Sequence, residues 1–240
     1  MGNSFFRFKQ FTVYQDKCAL KVCTDACLFG AWTVEQIKSF KAEPKSVLDI
    51  GTGTGLLSLM LAQQLNAEID AVEIERADHD QCAANFEQSA WNNRLQVHLS
   101  DIKKFQTGKQ YGLIISNPPF FENDLKPQTA HKLRSKHDDS LTLKELVTEM
   151  ERLLAENGHC AFLLPHHRKN ELLELSAEKG FFPASVCSVK QTPKHEPFRV
   201  MFFFHKEKTG FREEEITIKL NGENYSNRFI ELLKDYYLYL

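Results

Sequence analysis

Three glycines at alternate positions form the clearest candidate in this sequence for a ligand-binding turn. The segment Asp49-Ile50-Gly51-Thr52-Gly53-Thr54-Gly55 follows a short apolar run and precedes a stretch of helical composition. Glycines at Gly51, Gly53 and Gly55 let the backbone approach a ligand without interference from a Cβ atom. The dinucleotide fingerprint needs a glycine where this chain has Leu56, and the Gly-Lys-Ser/Thr of a triphosphate loop is missing. The turn therefore indicates a small ligand of another kind.

Acidic residues stand beside this turn, where predicted strands end. Glu73 ends the second predicted strand, and Asp101 follows the third, next to Ile102. In a doubly wound sheet the carboxyl ends of the strands line the ligand crevice, and a carboxylate at the second strand accepts ribose hydroxyls. Asp101 is placed to bond an adenine amino group, although each acid taken singly also fits a loop cap. With Asp49 and the glycines, this arrangement resembles the S-adenosylmethionine site of Rossmann-like methyltransferases, where carboxylates suit a cationic sulfonium.

The tetrapeptide Asn117-Pro118-Pro119-Phe120 is a second candidate for chemistry, and it follows the apolar run 113–116. A strand ended by a rigid turn also explains the prolines, since proline cannot donate to a ladder. The residue types fit a planar amino group on adenine or on a glutamine amide. The Asn117 and Pro118 carbonyls each accept one N–H, and Phe120 offers a face for stacking. The tetrapeptide resembles the (Asp/Asn/Ser)-Pro-Pro-(Tyr/Phe) motif of amino-methyltransferases, and we interpret all four residues as catalytic.

Alternating apolar strands and helices are expected to bring these residues to one edge of a sheet. The predicted strands are 46–50, 69–73, 95–99, 111–116, 158–164, 186–190, 200–205 and 216–220, and the predicted helices are 26–37, 56–65, 77–90, 143–154, 169–179 and 227–236. Residues Glu156, Asn157 and Gly158 are expected to end the fourth of these helices. The pattern predicts an α/β, Rossmann-like methyltransferase with a doubly wound, mostly parallel, seven-stranded sheet and an antiparallel edge.

The composition is that of a folded chain. Hydrophobic residues make up 42% and charged residues 26% of the 240 residues, which excludes a disordered tail or a collagen-like repeat. We expect a single domain over 1–240, with 1–45 closing over cofactor or substrate and 121–140 forming a substrate loop. The sequence contains no apolar run long enough to span a membrane and no signal-peptide pattern, so a cytoplasmic location is expected. Six cysteines without a CxxC pair do not indicate a metal.

The charge is divided unevenly along the chain. Residues 43–87 carry nine acids against two basic residues, a formal −7, so the rest carries +5 of the total −2. Solvated faces explain such runs as readily as a partner does, yet several basic clusters outside one acidic block favour a polyanion. The basic clusters are Arg7, Lys9, Lys17 and Lys21, then Lys126, Lys132, Arg134 and Lys136, then 166–169, then Lys190, Lys194 and Arg199.

Further segments resemble the bacterial tRNA1(Val) (adenine37-N6)-methyltransferase family from residue 5 to residue 240. They are Phe8-Lys9-Gln10-Phe11, Lys21-Val22-Cys23-Thr24-Asp25-Ala26, Leu28-Phe29-Gly30-Ala31-Trp32, Pro197-Phe198-Arg199 and Asn224-Tyr225-Ser226. Cys23 and Ala26 replace glycines that are usual in the family, in a segment expected beside the cofactor. The resemblance implies N6 methylation of adenine 37 in tRNA1(Val), with S-adenosylmethionine as the cofactor.

The resemblance also implies residue roles. Lys21, Thr24 and Asp25 are expected to close over the methionine end of the cofactor, although capping of helix 26–37 explains Thr24 or Asp25 equally well. The tRNA phosphates are assigned to Arg7, Lys9, Lys126, Lys132, Arg134, Lys136 and Arg199. The phenylalanines at positions 5, 6, 8 and 11 fit either base stacking or a core strand.

Two other functions stay open from the sequence. One is a protein-glutamine methyltransferase, although only 48 residues precede Asp49, where such enzymes are expected to carry a helical substrate domain. The other is a non-catalytic tRNA-binding module on a methyltransferase fold, which the intact Asp49, Glu73 and Asn117 disfavour. The leading prediction is a monomeric tRNA (adenine-N6) methyltransferase that needs no metal and no membrane.

Overall fold

An eight-stranded sheet forms the centre of the computed structural model, which describes residues 3–18, 20–39, 43–118, 141–222 and 224–240. The strands are β1 (Phe5–Arg7), β2 (Thr12–Tyr14), β3 (Ser46–Ile50), β4 (Glu68–Glu73), β5 (Leu95–Leu99), β6 (Tyr111–Ser116), β7 (Leu154–Pro165), β8 (Phe182–Lys190), β9 (Arg199–His205), β10 (Arg212–Thr217), β11 (Lys219–Asn221) and β12 (Asn224–Tyr225). The helices are α1 (Thr24–Ser39), α2 (Leu56–Gln64), α3 (Arg76–Glu87), α4 (Leu143–Leu153), α5 (Lys169–Glu178) and α6 (Asn227–Leu233).

The sheet confirms the predicted fold class. Its strand order is β10-β8-β9-β7-β6-β3-β4-β5. Within this sheet every described pair is parallel except those of β9, which runs antiparallel to both β7 and β8. Strands β1 and β2 form a separate hairpin, and so do β11 and β12.

The strand count and the position of the last strand differ from the prediction, and β8 begins at Phe182 rather than at 186. The sheet has eight strands rather than seven, and the last of them spans Arg212–Thr217 rather than 216–220. It adds in parallel to β8, so the antiparallel strand lies inside the sheet and not at its edge. The missed residues Arg212–Glu215 are mostly exposed at the sheet edge, where burial does not require an apolar pattern.

Chain order reverses at the centre of the sheet, between β3 and β6. The chain proceeds outwards from β3 to β4 and β5, then returns to place β6 on the other side of β3. Ile50, at the end of β3, is in register with Ser116, at the end of β6. The glycine turn and Asn117 therefore flank the switch point of the sheet, which is the usual ligand crevice of an open α/β sheet.

Alternate side chains of the central strands enter two separate cores. Val47 belongs to the core that α1, α2 and α6 cover, whereas Leu48 belongs to the core beneath α4. This two-sided burial explains why the central strands are continuous apolar runs in the sequence.

Two helices end three residues earlier than predicted, and a third is not capped by the residues that were predicted to cap it. Helix α3 ends at Glu87 rather than at 90, and α6 ends at Leu233 rather than at 236. Helix α4 ends at Leu153, and the residues expected to cap it belong to β7. The pairing of β6 with β7 shifts register there. Glycine at position 158 allows the strands to approach closely at this point. A Cβ atom there would lie 2.8 Å from the Leu154 side chain and 2.9 Å from the Tyr111 carbonyl oxygen.

The N-terminal hairpin contributes to the core rather than lying apart from it. Phe8 and Phe11 are buried and stack with ring centroids 4.4 Å apart, which favours the core interpretation for these two rings. In the described part of the chain, no helix is long and apolar enough to cross a membrane.

Candidate active site

The glycine turn after β3 has a conformation that requires glycine. Gly51, Gly53 and Gly55 have φ angles of 70°, 55° and 82°, in the left-handed region that side chains with a Cβ disfavour. At Gly55 a Cβ atom would also lie 2.7 Å from Cε1 of Phe86 and 2.9 Å from Sγ of Cys82, so close packing against α3 excludes one. No described atom comes within 4 Å of a Cβ built at Gly51 or Gly53. The first two glycines thus border open space, and the third packs the turn onto the fold.

Asp49 is a fully buried carboxylate beneath this turn. The hydroxyls of Thr52 and Ser58 both donate to its Oδ2 atom, each over 2.7 Å. Its Oδ1 atom is buried without a hydrogen-bond partner among the described residues. Burial raises the pKa of Asp49 to about 6, while the two hydroxyl donors act in the opposite direction. The residue fixes the turn with one oxygen and keeps the other available for a donor.

Glu73, at the end of β4, supports the same turn from the other side. Its Oε2 accepts the Gly53 N–H over 2.9 Å, and its Oε1 accepts the N–H groups of Ile74 and Glu75 over 2.9 and 3.0 Å. Burial raises its pKa, and these backbone donors oppose the shift. A carboxylate offers about four acceptor positions, so the predicted contact with ribose is still compatible with these three bonds.

Asp101 and Ile102 follow β5 at the same edge. The Asp101 carboxylate accepts the Lys103 N–H over 2.9 Å and so caps a single 3-10 turn. Ile102 is 5% exposed and packs in the core beneath α4. The loop-cap interpretation therefore holds for Asp101, and its second oxygen stays the candidate for a ligand.

Asn117 lies directly after β6, across the switch point from the glycine turn. Its Oδ1 atom is buried and accepts no hydrogen bond from the residues that the structure describes. The preceding Ser116 is buried and its hydroxyl donates to the Ile50 carbonyl over 2.8 Å, which ties the ends of β6 and β3 together. Pro118 is buried, whereas Pro119 and Phe120 lie outside the described residues. A buried carbonyl without a donor is a specific observation, since such atoms are normally satisfied.

The first turn of α1 reaches the same edge and makes an unexpected contact. Asp25 accepts the Ala26 N–H over 3.2 Å and the Nε–H of Arg199 over 2.8 Å. Arg199 begins β9, which runs antiparallel, so this residue lies at the carboxyl edge of the parallel strands. Thr24 is the exposed first residue of α1, and the Lys21 ammonium donates to the Asn3 carbonyl over 3.0 Å. Arg199, predicted to bind phosphate, thus forms an ion pair with a residue predicted to be near the cofactor.

Only some of the other residues that were predicted to contact RNA lie in the described part of the chain. Arg7 is exposed on the N-terminal hairpin, and the Lys9 ammonium donates to the Lys234 carbonyl over 2.5 Å. Four of these residues lie outside the described part of the chain: Lys126, Lys132, Arg134 and Lys136. The whole predicted substrate loop, 121–140, also lies outside it.

Two buried amides of α3 were not predicted, although they hold the N-terminal segment against the glycine turn. The Asn85 amide donates to the carbonyls of Tyr14 and Thr54 over 2.9 and 2.8 Å, and its oxygen accepts the Tyr14 N–H over 3.0 Å. Gln81 accepts the Lys17 N–H over 3.3 Å. Their spacing of four residues, on the same helix face as Cys82 and Phe86, is a signal for polar groups facing the core.

The fold and this edge define an S-adenosylmethionine-dependent methyltransferase. The family model described as methyltransferase small domain matches residues 29–176. A solved structure of a predicted O-methyltransferase from Agrobacterium tumefaciens superposes with a TM-score of 0.66 at 13% identity, covering 88% of this chain and 96% of that one. At this identity the likeness concerns the fold.

Curated relatives are similar over the whole chain. A protein of Christiangramia forsetii is 39% identical over 245 residues, covering 100% of both chains, and one of Trichodesmium erythraeum is 40% identical over 243 residues, covering 99% of each. Both are named tRNA1(Val) (adenine(37)-N6)-methyltransferase. The chain belongs to this family, as the motifs at its two ends predicted.

The residues present fit S-adenosylmethionine. Gly51 and Gly53 border open space, and the free Oδ1 of buried Asp49 suits an ammonium donor. Glu73 and Asp101 end neighbouring strands at the same edge. Among the described residues, no group of three His, Cys, Asp or Glu side chains forms a metal site.

Proposed function

We propose that this protein transfers a methyl group from S-adenosylmethionine to the N6 atom of adenine 37 in tRNA1(Val). The buried Oδ1 of Asn117 carries the proposal, because it is an acceptor without a donor beside the glycine turn. The names of the relatives support the nucleoside and the tRNA.

The chemistry assigned to this chain is orientation and polarisation of an amine. S-adenosylmethionine, when bound, supplies an electrophilic methyl group on a sulfonium. The N6 amine of adenine is planar, and its lone pair is delocalised into the ring. Acceptance of its two N–H groups by Asn117 Oδ1 and the Pro118 carbonyl increases electron density on nitrogen and fixes its direction. N6 forms its bond to the methyl carbon as the bond from that carbon to sulfur breaks with its electron pair left on sulfur, and the surplus proton of the methylated amine then passes to water.

The other predicted residues take supporting roles in this proposal. Asp49, Gly51, Gly53, Gly55, Glu73, Asp101 and Ile102 form the cofactor side of the crevice, and Lys21, Thr24 and Asp25 close it. Phe120 is assigned to stacking on the adenine. The protein acts on tRNA as a monomer of one domain, without a metal ion.

Replacement of Asn117 by alanine tests the proposal. We expect kcat for an unmodified tRNA1(Val) transcript to fall by at least about 100-fold, because an interaction made in the transition state is lost. Calorimetry should show unchanged S-adenosylmethionine affinity. Asn157→Ala, an exposed asparagine at the start of β7, is the matched control.

Two substrate controls define the acceptor. Replacing adenine 37 by guanine should abolish methylation, and RNase treatment of a cell extract should remove the methyl acceptor. An acceptor that survives RNase would support glutamine methylation instead. Undiminished activity of Asn117→Ala would contradict the role of the tetrapeptide.

A further inference from the structure

The N-terminal hairpin has an outer face with two exposed aromatic rings. Phe5 and Tyr14 pair directly across β1 and β2, with ring centroids 6.2 Å apart, and they are 48% and 38% exposed. Arg7 pairs with Thr12 on this same face, while Phe6 and Val13 pair on the opposite face, toward the core. We define Phe5, Arg7, Thr12 and Tyr14 as the hairpin outer face.

The side chain of Asn85 connects this face to the candidate active site. Asn85 bonds both backbone groups of Tyr14 and also donates to the Thr54 carbonyl in the glycine turn. Asn85 is 1% exposed, so these bonds are shielded from water. The backbone position of Tyr14 therefore does not depend on its own ring, which stays 38% exposed at the surface.

The charge and the residue types of the hairpin outer face indicate which class of ligand it binds. Residues 3–22 carry four basic side chains and one acid, a formal +3, in contrast to the acidic block 43–87 later in the sequence. Exposed aromatic rings with a neighbouring guanidinium form the usual platform for unpaired nucleic-acid bases, which all present a stacking face. A base extruded for methylation leaves its unpaired neighbours available for such stacking.

We propose that the hairpin outer face stacks unpaired bases flanking the target adenine, with Arg7 contacting the adjacent phosphate. This inference rests on the proposed function, since it requires an RNA substrate. It assigns Phe5 and Tyr14 to substrate affinity and not to methyl transfer.

The test compares the double variant Phe5→Ala/Tyr14→Ala with wild type on a tRNA1(Val) anticodon stem-loop. Loss of two stacked rings should raise KM for the RNA by about tenfold or more, with kcat changed less than about twofold. Tyr14→Leu, which is apolar without an aromatic face, should also raise KM. Phe211→Ala is the matched control, because Phe211 is 46% exposed before β10, at the opposite edge of the sheet.

A second measurement reports stacking directly. A stem-loop with 2-aminopurine beside the target adenine should lose fluorescence on binding wild type and Phe211→Ala, and retain it with the double variant. Calorimetry with S-adenosylmethionine checks that the double variant is folded. Unchanged KM and quenching in a folded double variant would overturn the inference, whereas failure of wild type to methylate the RNA would overturn the proposed function itself.

Discussion

At the scale of single residues, Asp49 combines two tasks with opposite demands. Its Oδ2 organises the glycine turn through Thr52 and Ser58, while its Oδ1 stays buried without a partner in the described part of the chain. Burial disfavours the charged form and raises the pKa to about 6. Under the proposed function a cationic ligand favours the charged form, so the proposal predicts that ligand binding and ionisation of Asp49 are coupled.

This coupling predicts a pH-dependent affinity for S-adenosylmethionine. As pH falls below about 6, a proton occupies Asp49 and Kd should rise by up to tenfold per pH unit. In the protein without ligand, ionisation of Asp49 lowers the folding stability as pH rises, whereas it raises the ligand affinity. A carboxyl whose folded pKa exceeds its unfolded value contributes stability that is present below about pH 3.9 and is lost as pH rises through about 6.

Calorimetry and urea unfolding from pH 4.5 to 8 measure the two effects. Asp49→Asn should flatten both profiles, whereas Asp16→Asn, at an exposed position, should retain the slopes of wild type. A Kd for wild type that is independent of pH across 6 would show that Asp49 does not contact the ligand's charge.

At the scale of elements, the turn between β3 and α2 is held by neighbouring elements as well as by its own residues. Glu73 of β4 accepts the Gly53 N–H, and Asn85 of α3 donates to the Thr54 carbonyl. Gly55 lies against Phe86 and Cys82 of α3. The turn therefore has contacts with β4 and α3 that help to set its shape.

Two alanine variants separate backbone conformation from packing in this turn. Gly51→Ala introduces only the cost of a left-handed alanine, about 1–2 kcal/mol, because nothing described lies near its Cβ. Gly55→Ala bears the same cost and also forces Phe86 and Cys82 apart, for a further 1–3 kcal/mol or so. Urea unfolding without ligand should rank them in that order, and equal destabilisation would contradict the packing role of Gly55.

At the scale of the whole molecule, many cations of the basic clusters are neutralised on the protein. Arg168 pairs with Glu171, Lys169 with Glu213, and Lys190 with Glu215. Arg199 pairs with Asp25 in the same way. A basic side chain that is already paired with a carboxylate contributes little to counterion release when RNA binds. The number of basic residues in the clusters is therefore larger than the number of positive charges available to phosphates.

The salt dependence of tRNA affinity distinguishes these cations from Arg7. Replacing Arg7 by glutamine should reduce the slope of log K against log salt by about 0.7–0.9, the contribution of one phosphate contact. The double variant Arg168→Gln/Glu171→Gln removes an ion pair without changing net charge and should leave the slope unchanged. An equal reduction in both variants would show that the ion pair opens to bind RNA.

The sequence predicted most of the sheet because central parallel strands are buried on both faces and read as apolar runs. It placed Asp49, Glu73, Asp101 and Asn117 at the correct edge, since residues after such strands meet there. Edge strand β10 was not placed correctly, because exposed charged residues occupy most of it and leave no apolar pattern to indicate a strand. The contacts of Arg199 with Asp25 and of Asn85 with Tyr14 join positions 174 and 71 residues apart, a separation that no local pattern reports.

Insertion of β9 between β7 and β8 has a consequence for how the chain acquires its structure. Strands β7 and β8 precede β9 along the chain but do not pair with each other, and each pairs with β9 instead. During synthesis both must wait with open edges until residues 199–205 emerge, and three consecutive phenylalanines, Phe202, Phe203 and Phe204, are then fully buried. Closure of the sheet is therefore a late, long-range step, and we expect nascent chains that end before β9 to expose apolar strand edges.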